Sequence, residues 1–160
     1  MEKIESFQID HLRLKPGLYV SRKDTFGGGA TVLTTFDLRL KEPNKEPVMD
    51  VPCLHTIEHL GATFLRNHSQ WGSRVVYFGP MGCRTGCYLI LEGDLDSKAV
   101  LPLIQEMLDW IRRFEGPVPG ATAAECGNWQ DQNLDMAKWE SSRYEALLKN
   151  PGEENLYYPK

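Results

Sequence analysis

The chain has 160 residues, of which 41% are apolar and 25% charged, and its formal net charge is −4. This length is enough for one domain with a hydrophobic core and too short for two ordinary ones. The acidic balance argues against a nucleic-acid-binding protein, and no apolar stretch approaches the length needed to span a membrane.

Strands are predicted mainly in the first half of the chain. Segments rich in alternating or β-branched residues predict four strands, at residues 17–22, 31–40, 74–78 and 88–91. In the second of these, Asp37 and Arg39 share the face opposite to the apolar one. Glycine-rich turns follow the first strand and join the last two, since glycine tolerates positive φ.

Three helices are predicted from apolar residues at helical spacing. The first begins after Asp50 as N-cap and runs to about Asn67, and the second is capped by Ser97 and ends near Gly116-Pro117. The third covers residues 134–148, and residues 153–160 are predicted to form a loose tail. We therefore expect a single α+β domain over residues 1–160, with a mostly antiparallel sheet covered by helices on one face.

The strongest local motif lies on the first helix. His55 and His59 are four residues apart, so their imidazoles project from one helix face and can bind the same metal ion. Glu58 flanks that face, where its carboxylate can move protons. This H-x-x-E-H pattern occurs in inverted zincins; the alternative is a solvated helix face with two ordinary histidines.

A catalytic metal commonly has three protein ligands and one open position, so a third ligand is required. Cys126 follows a run of small residues in a loop that can approach the helix. Cys83 lies in a turn between two glycines, where it is suited either to metal binding or to acid, base or nucleophile chemistry. From the residues alone, both cysteines remain candidates for the third ligand, and each also fits a small buried or turn residue.

The first ten residues lack the basic-then-apolar form of a signal peptide, so we expect a cytoplasmic protein. In a reducing compartment the four cysteines are expected to be ligands, catalytic thiols or core residues, and not disulfides. Cys87, four residues after Cys83 in a predicted strand, is expected to pack in the core.

Five motifs in chain order resemble the S-ribosylhomocysteine lyase (LuxS) family. They are ESFxxDH at residues 5–11, FDLR at 36–39 followed by Pro43-Asn44, LHTIEHL at 54–60, PMGCRTG at 80–86 and ECG at 125–127. The matches extend from about residue 3 to residue 149. Any one is weak, but five in the family order form a specific signal.

The resemblance implies an enzyme that converts S-ribosylhomocysteine to homocysteine and dihydroxypentanedione, the precursor of the signal autoinducer-2. It implies a homodimer with active sites at the interface and one divalent metal per chain, iron(II) in the cell, with zinc or cobalt able to replace it. The roles it implies are metal ligation by His55, His59 and Cys126, acid–base catalysis by Cys83 and Glu58, and substrate binding by Ser6, His11 and Arg39.

This chemistry agrees with the residues. Cleaving the thioether requires the sugar carbonyl to move inward by two isomerisations before the thiol is eliminated. Each step removes a proton from carbon, which suits a thiolate and a carboxylate, and a Lewis-acid metal stabilises the charge that develops on oxygen. A His/His/Cys ligand set suits iron, zinc or cobalt.

The sequence departs from the family pattern at three places. Cys87 replaces a usual aromatic residue, Gln132 replaces a usual histidine six residues after Cys126, and residues 77–78 replace a frequent acidic residue. Two other readings of the motifs remain open at this point. One is an inverted-zincin hydrolase, whose third ligand is typically a glutamate, and the other is a non-enzymatic metal-binding module.

Overall fold

The computed structural model describes residues 2–159, and in that part of the chain four strands form one sheet. The strands are β1 (Gly17–Phe26), β2 (Thr31–Arg39), β3 (Val75–Pro80) and β4 (Gly86–Glu92). Their order is β1-β2-β4-β3, and every neighbouring pair is antiparallel. The helices are α1 (Val51–Asn67), α2 (Ser97–Arg113) and α3 (Leu134–Leu148). None of these helices is long and apolar enough to cross a bilayer.

Side-chain caps explain where the helices begin. The Asp50 carboxylate accepts a hydrogen bond from the backbone N–H of Cys53 at 3.0 Å, which confirms the predicted start of α1. The prediction that Ser97 caps α2 is wrong by one residue. The cap is Asp96, whose carboxylate accepts from Ala99 N at 2.8 Å. A carboxylate there satisfies a free N–H and also lies at the positive end of the helix dipole.

One face of the sheet packs against all three helices. Its fully buried side chains form a single core with those of the helices, including Phe36 and Leu89 from the sheet and Leu60, Ile104 and Leu148 from α1, α2 and α3. Truncating any of these to alanine should cost about 2–5 kcal/mol. The predicted α+β class, with an antiparallel sheet covered by helices on one face, is confirmed.

The opposite face of the sheet is also buried at its centre. Asp37 is 0% exposed and Arg39 is 3% exposed. Charged side chains can be buried to this extent only when they are paired with an opposite charge. The N-terminal segment and the C-terminal segment contribute side chains to this face. The candidate site therefore lies near α1 and the sheet face that carries Asp37 and Arg39. The sheet face that packs against the helices forms the hydrophobic core, which stabilises the fold.

The segment after α3 is packed, although the sequence predicts a loose tail there. Glu153–Asn155 form a turn of 3-10 helix, and Leu156 is 6% exposed. The Tyr158 ring stacks on Tyr19 with the centroids 4.7 Å apart. The prediction overlooked that one leucine and one aromatic ring can bury enough area to order a short segment. Lys160, the last residue of the predicted tail, lies outside the described residues.

Candidate active site

Three potential metal ligands converge at one point. His55 and His59 lie one turn apart on α1, and Cys126 lies in the loop of residues 114–133 between α2 and α3. Their donor atoms all lie within 4.8 Å of one another. The two Nε2 atoms are 3.0 Å apart, and the Cys126 sulfur is 3.4 Å from His55 Nε2. The structure thus brings together the three residues that the sequence predicts as ligands.

Backbone carbonyls of the loop orient both imidazoles. His55 Nδ1 lies 2.8 Å from the Asp131 carbonyl oxygen, and His59 Nδ1 lies 2.7 Å from that of Pro119. Because a carbonyl only accepts, each Nδ1 carries the proton and each Nε2 carries a lone pair. Gly120 allows this approach: its φ is +73°, and a Cβ there would lie 3.1 Å from His59 Nδ1.

These donors fit a divalent metal ion. Two Nε2 lone pairs facing each other at 3.0 Å repel unless a cation lies between them. A tetrahedral ion about 2.0–2.3 Å from nitrogen and sulfur donors places those donors about 3.3–3.6 Å apart. The 3.0 Å between the two Nε2 atoms and the 3.4 Å between the Cys126 sulfur and His55 Nε2 are close to these values. The Cys126 sulfur also accepts a hydrogen bond from the backbone N–H of Asn128 at 3.5 Å.

Cys83 lies in the β3–β4 turn within a different set of contacts. Its sulfur is 3.1 Å from the Thr85 hydroxyl and 3.8 Å from Arg39 Nη1. The Thr85 hydroxyl accepts from Arg39 Nη1 at 2.6 Å, and it can donate its own proton to a Cys83 thiolate. Partial burial acts to raise the pKa of Cys83, but the Thr85 hydrogen bonds and the Arg39 charge outweigh it and lower the pKa.

The other cysteines of the sheet and α1 differ from Cys83. Cys53 and Cys87 are buried in the core, as predicted for Cys87. Burial raises the pKa of Cys53 to about 12 and that of Cys87 further, because neither thiol has a cation beside it strong enough to offset desolvation. Among these three, only Cys83 combines exposure with a depressed pKa.

Two adjoining cavities share the turn at Pro80, Met81 and Gly82 as a common wall. The first, of about 450 Å³, is lined by His55 and Glu58. The second, of about 350 Å³, is lined by four of the predicted site residues, Ser6, His11, Arg39 and Cys83. The predicted acid–base pair therefore lies in neighbouring cavities within one chain, with Glu58 on the metal side.

Sequence reasoning missed several residues that support this site. Asp37 pairs with Arg39, Thr85 bridges Arg39 and Cys83, and the carbonyls of Pro119 and Asp131 orient the histidines. The placement of Asp37 and Arg39 two residues apart on one strand face was a usable signal for the ion pair. No sequence signal identifies the two carbonyls, because any residue offers one.

Comparison with known proteins agrees with the geometry. The sequence model of the family S-ribosylhomocysteinase (LuxS) matches residues 4–154. Proteins named S-ribosylhomocysteine lyase are 57% identical in Clostridium acetobutylicum and 58% identical in Porphyromonas gingivalis, over 99% of both chains in each case. The protein of that name in Borrelia garinii subsp. bavariensis is 55% identical over 99% of this chain and 100% of its own length. The chain therefore belongs to the S-ribosylhomocysteinase (LuxS) family.

Proposed function

We propose that this chain cleaves S-ribosylhomocysteine to homocysteine and dihydroxypentanedione, the autoinducer-2 precursor, by two carbonyl shifts and a β-elimination of the thiol. Family membership makes the protein a carbon–sulfur lyase. The observation that carries the proposal is the convergence of His55, His59 and Cys126, since His55 lines a cavity that adjoins the cavity of Cys83 across the Pro80–Gly82 wall. An inverted-zincin hydrolase is not favoured, since the third converging residue is a cysteine.

We infer that one divalent metal ion per chain is held by His55, His59 and Cys126, with iron(II) the ion that the family resemblance favours and zinc or cobalt able to replace it. Two imidazoles and one thiolate suit iron, zinc and cobalt. When bound, the ion supplies a Lewis acid that polarises a sugar oxygen. The loop carbonyls at Pro119 and Asp131 keep both histidines in the tautomer that can ligate.

Proton transfer is assigned to Cys83 and Glu58. The Cys83 sulfur is exposed, and Thr85 and Arg39 stabilise its thiolate, which can take a proton from carbon. Glu58 lines the neighbouring cavity with His55. Its carboxylate can there exchange protons with oxygen atoms of the sugar that lie close to the histidines. A sugar that extends past the Pro80–Gly82 wall is thus approached by Cys83 from one cavity and by Glu58 from the other.

Substrate binding is assigned to Ser6, His11 and Arg39. All three line the cavity of about 350 Å³ that contains Cys83, a size within the range of small-molecule sites. The carbonyl of Ile9 accepts from His11 Nδ1 at 2.9 Å, which leaves Nε2 as an acceptor for a sugar hydroxyl. Ser6 supplies a hydroxyl that can donate or accept.

We further propose a homodimer in which the partner covers these cavities. Phe7 is 71% exposed and lines the Cys83 cavity, and Val51 is 52% exposed and lines the Glu58 cavity. Exposed apolar residues at the rim of a binding site are typical of interfaces. Light scattering should give twice the chain mass, and Phe7→Glu should yield a monomer with reduced turnover. A monomeric natural protein with full turnover would contradict this.

A thiol-release assay tests the function. The protein is loaded anaerobically with iron(II) and mixed with S-ribosylhomocysteine and a thiol reagent that does not strip the metal. We expect homocysteine release that falls by at least about 100-fold in Cys83→Ala, the lower range for a positioned acid or base. The control, Cys53→Ala, changes a buried core thiol and should retain turnover. No release from protein holding one metal per chain would overturn the proposal.

A further inference from the structure

A continuous chain of side chains connects the C-terminal segment to Cys83. The Tyr158 hydroxyl donates to Asp37 Oδ2 at 2.8 Å. Asp37 in turn binds Arg39 through both oxygens, at 3.1 Å to Nε and 2.6 Å to Nη2. The remaining guanidinium nitrogen, Nη1, faces Thr85 and the Cys83 sulfur. Five side chains from three distant parts of the sequence are thus connected by a series of hydrogen bonds and polar contacts.

The chain of contacts leaves Arg39 little freedom. The Asp37 side chain is 1% exposed and that of Arg39 is 3% exposed, so neither can exchange its partner for solvent. A bidentate pair fixes the plane of the guanidinium and therefore the direction in which Nη1 points. Tyr158 is itself fixed, because its ring stacks on Tyr19 and its hydroxyl donates to the buried Asp37 carboxylate.

We propose that Tyr158 and Asp37 are positioning residues, which act through Arg39 to hold its guanidinium against the Cys83 sulfur and keep that sulfur reactive. The inference rests on the proposed role of Cys83 as an acid–base group. Without the Tyr158 hydroxyl, Asp37 Oδ2 loses a donor in a buried position and draws the guanidinium toward itself. Nη1 then interacts less strongly with the thiolate, so a larger share of Cys83 is protonated.

Several other groups surround Cys83 and bear on its titration. From β2 they are Arg39 and Asp37, from β4 Tyr88, and from the N-terminal segment His11. Arg84 and Glu58 line the adjoining cavity. All of them are unchanged in a Tyr158→Phe variant, which keeps the stacked ring and removes only the hydroxyl. A change in Cys83 reactivity in that variant is therefore traceable to the Tyr158–Asp37 contact.

The experiment measures the rate at which iodoacetamide alkylates Cys83 in the metal-loaded full-length protein, from pH 5 to pH 10, with peptide mapping to identify the modified cysteine. We expect the alkylation midpoint of Tyr158→Phe to move up by about half a pH unit, so that alkylation below the midpoint is about threefold slower. The matched control is Tyr157→Phe, which removes a hydroxyl from the exposed neighbouring tyrosine and should leave the midpoint unchanged.

Thermal unfolding of each variant separates positioning from stability. A raised midpoint in Tyr158→Phe alone, accompanied by a fall in kcat larger than any change in KM, supports the inference. An unchanged midpoint overturns it, including the case in which only the melting temperature falls. Cys83→Ala keeps the two proposals separable: if that variant retains full turnover, the acid–base assignment fails, whereas the alkylation profile still reports on positioning.

Discussion

The two cysteines of the site are held in opposite ways. Cys126 and the histidines beside it lie between a helix and a long loop, and the contacts that orient the imidazoles are backbone carbonyls. Cys83 lies at the end of a β-hairpin, and the contacts that orient its surroundings are buried side chains. The metal-side contacts therefore tolerate many substitutions in the loop, whereas the Cys83 side depends on the identity of a few residues.

The two arrangements suit the two tasks proposed for these cysteines, metal ligation for Cys126 and acid–base chemistry for Cys83. A metal ligand needs a fixed tautomer and direction, which a carbonyl supplies to an imidazole without adding charge. An acid–base thiol needs a tuned pKa, which requires a cation at a set distance, and a buried cation in turn requires its own counter-ion. Asp37 is explained by this need, because Arg39 could not remain buried beside Cys83 without it.

The largest effect is expected on the metal side, from removing a ligand. His59→Ala should lower metal affinity by more than about 100-fold. Mutating a residue that only hydrogen-bonds to a metal ligand already lowers metal affinity by about 10–100-fold, and removing the ligand itself should lower it further. Metal content per chain after dialysis measures this. His68→Ala is the matched control, because His68 follows the same helix and pairs with Glu106 outside the triad. Equal metal content in both variants would mean that His59 is not a ligand.

Glu58→Gln probes the group between the two regions. The amide keeps the shape of the side chain but cannot take up a proton, so turnover should fall by about 100-fold or more. Metal content should stay at one per chain, because Glu58 is not part of the converging triad. Thiol release and metal analysis on the same sample give both values. Normal turnover would remove Glu58 from the mechanism.

On the Cys83 side, Asp37→Asn should lower the free energy of unfolding by about 3–5 kcal/mol, because Arg39 is left as an unpaired buried charge. Urea unfolding measures the change. Asp24→Asn breaks an exposed pair with Arg22 and serves as control, with an expected loss of about 0–1 kcal/mol. Similar losses of unfolding free energy in the two variants would show that the buried Asp37–Arg39 pair matters no more for stability than an exposed pair.

The smallest effect is expected for Gln132→Ala. Gln132 Nε2 lies 3.3 Å from His55 Nδ1, but the proton on that nitrogen is directed to the Asp131 carbonyl, which the substitution leaves in place. Metal affinity should therefore change by less than about tenfold, below the usual range for residues behind a ligand. A competition titration with a chelator measures it. A larger loss would mean that the side chain, and not the backbone, orients His55.

Much of the fold could be predicted from the sequence. The start of α1 at Asp50 and the extent of α3 follow from local capping and apolar spacing, which act within a few residues. The packed C-terminal segment could not be predicted in this way, since its order depends on Tyr19 and Asp37, which are more than a hundred positions away. Long-range burial leaves no local pattern.

The site likewise has a part that local spacing predicts and a part that depends on long-range contacts. His55, Glu58 and His59 share one helix turn, so their proximity is a consequence of helical spacing. The residues alone could not choose between Cys83 and Cys126 as the third converging group, because that depends on the path of the loop of residues 114–133. The structure places Cys126 with the histidines and Cys83 with Arg39.

The different tasks proposed for Cys126 and Cys83 are tested most directly by the absorption spectrum of the cobalt(II)-loaded protein. A thiolate bound to cobalt gives a near-ultraviolet charge-transfer band that imidazole and carboxylate ligands do not give. The natural protein and Cys83→Ala should both show the band, and Cys126→Ala should lack it. A band that persists in Cys126→Ala and disappears in Cys83→Ala would exchange the two assignments and contradict the account.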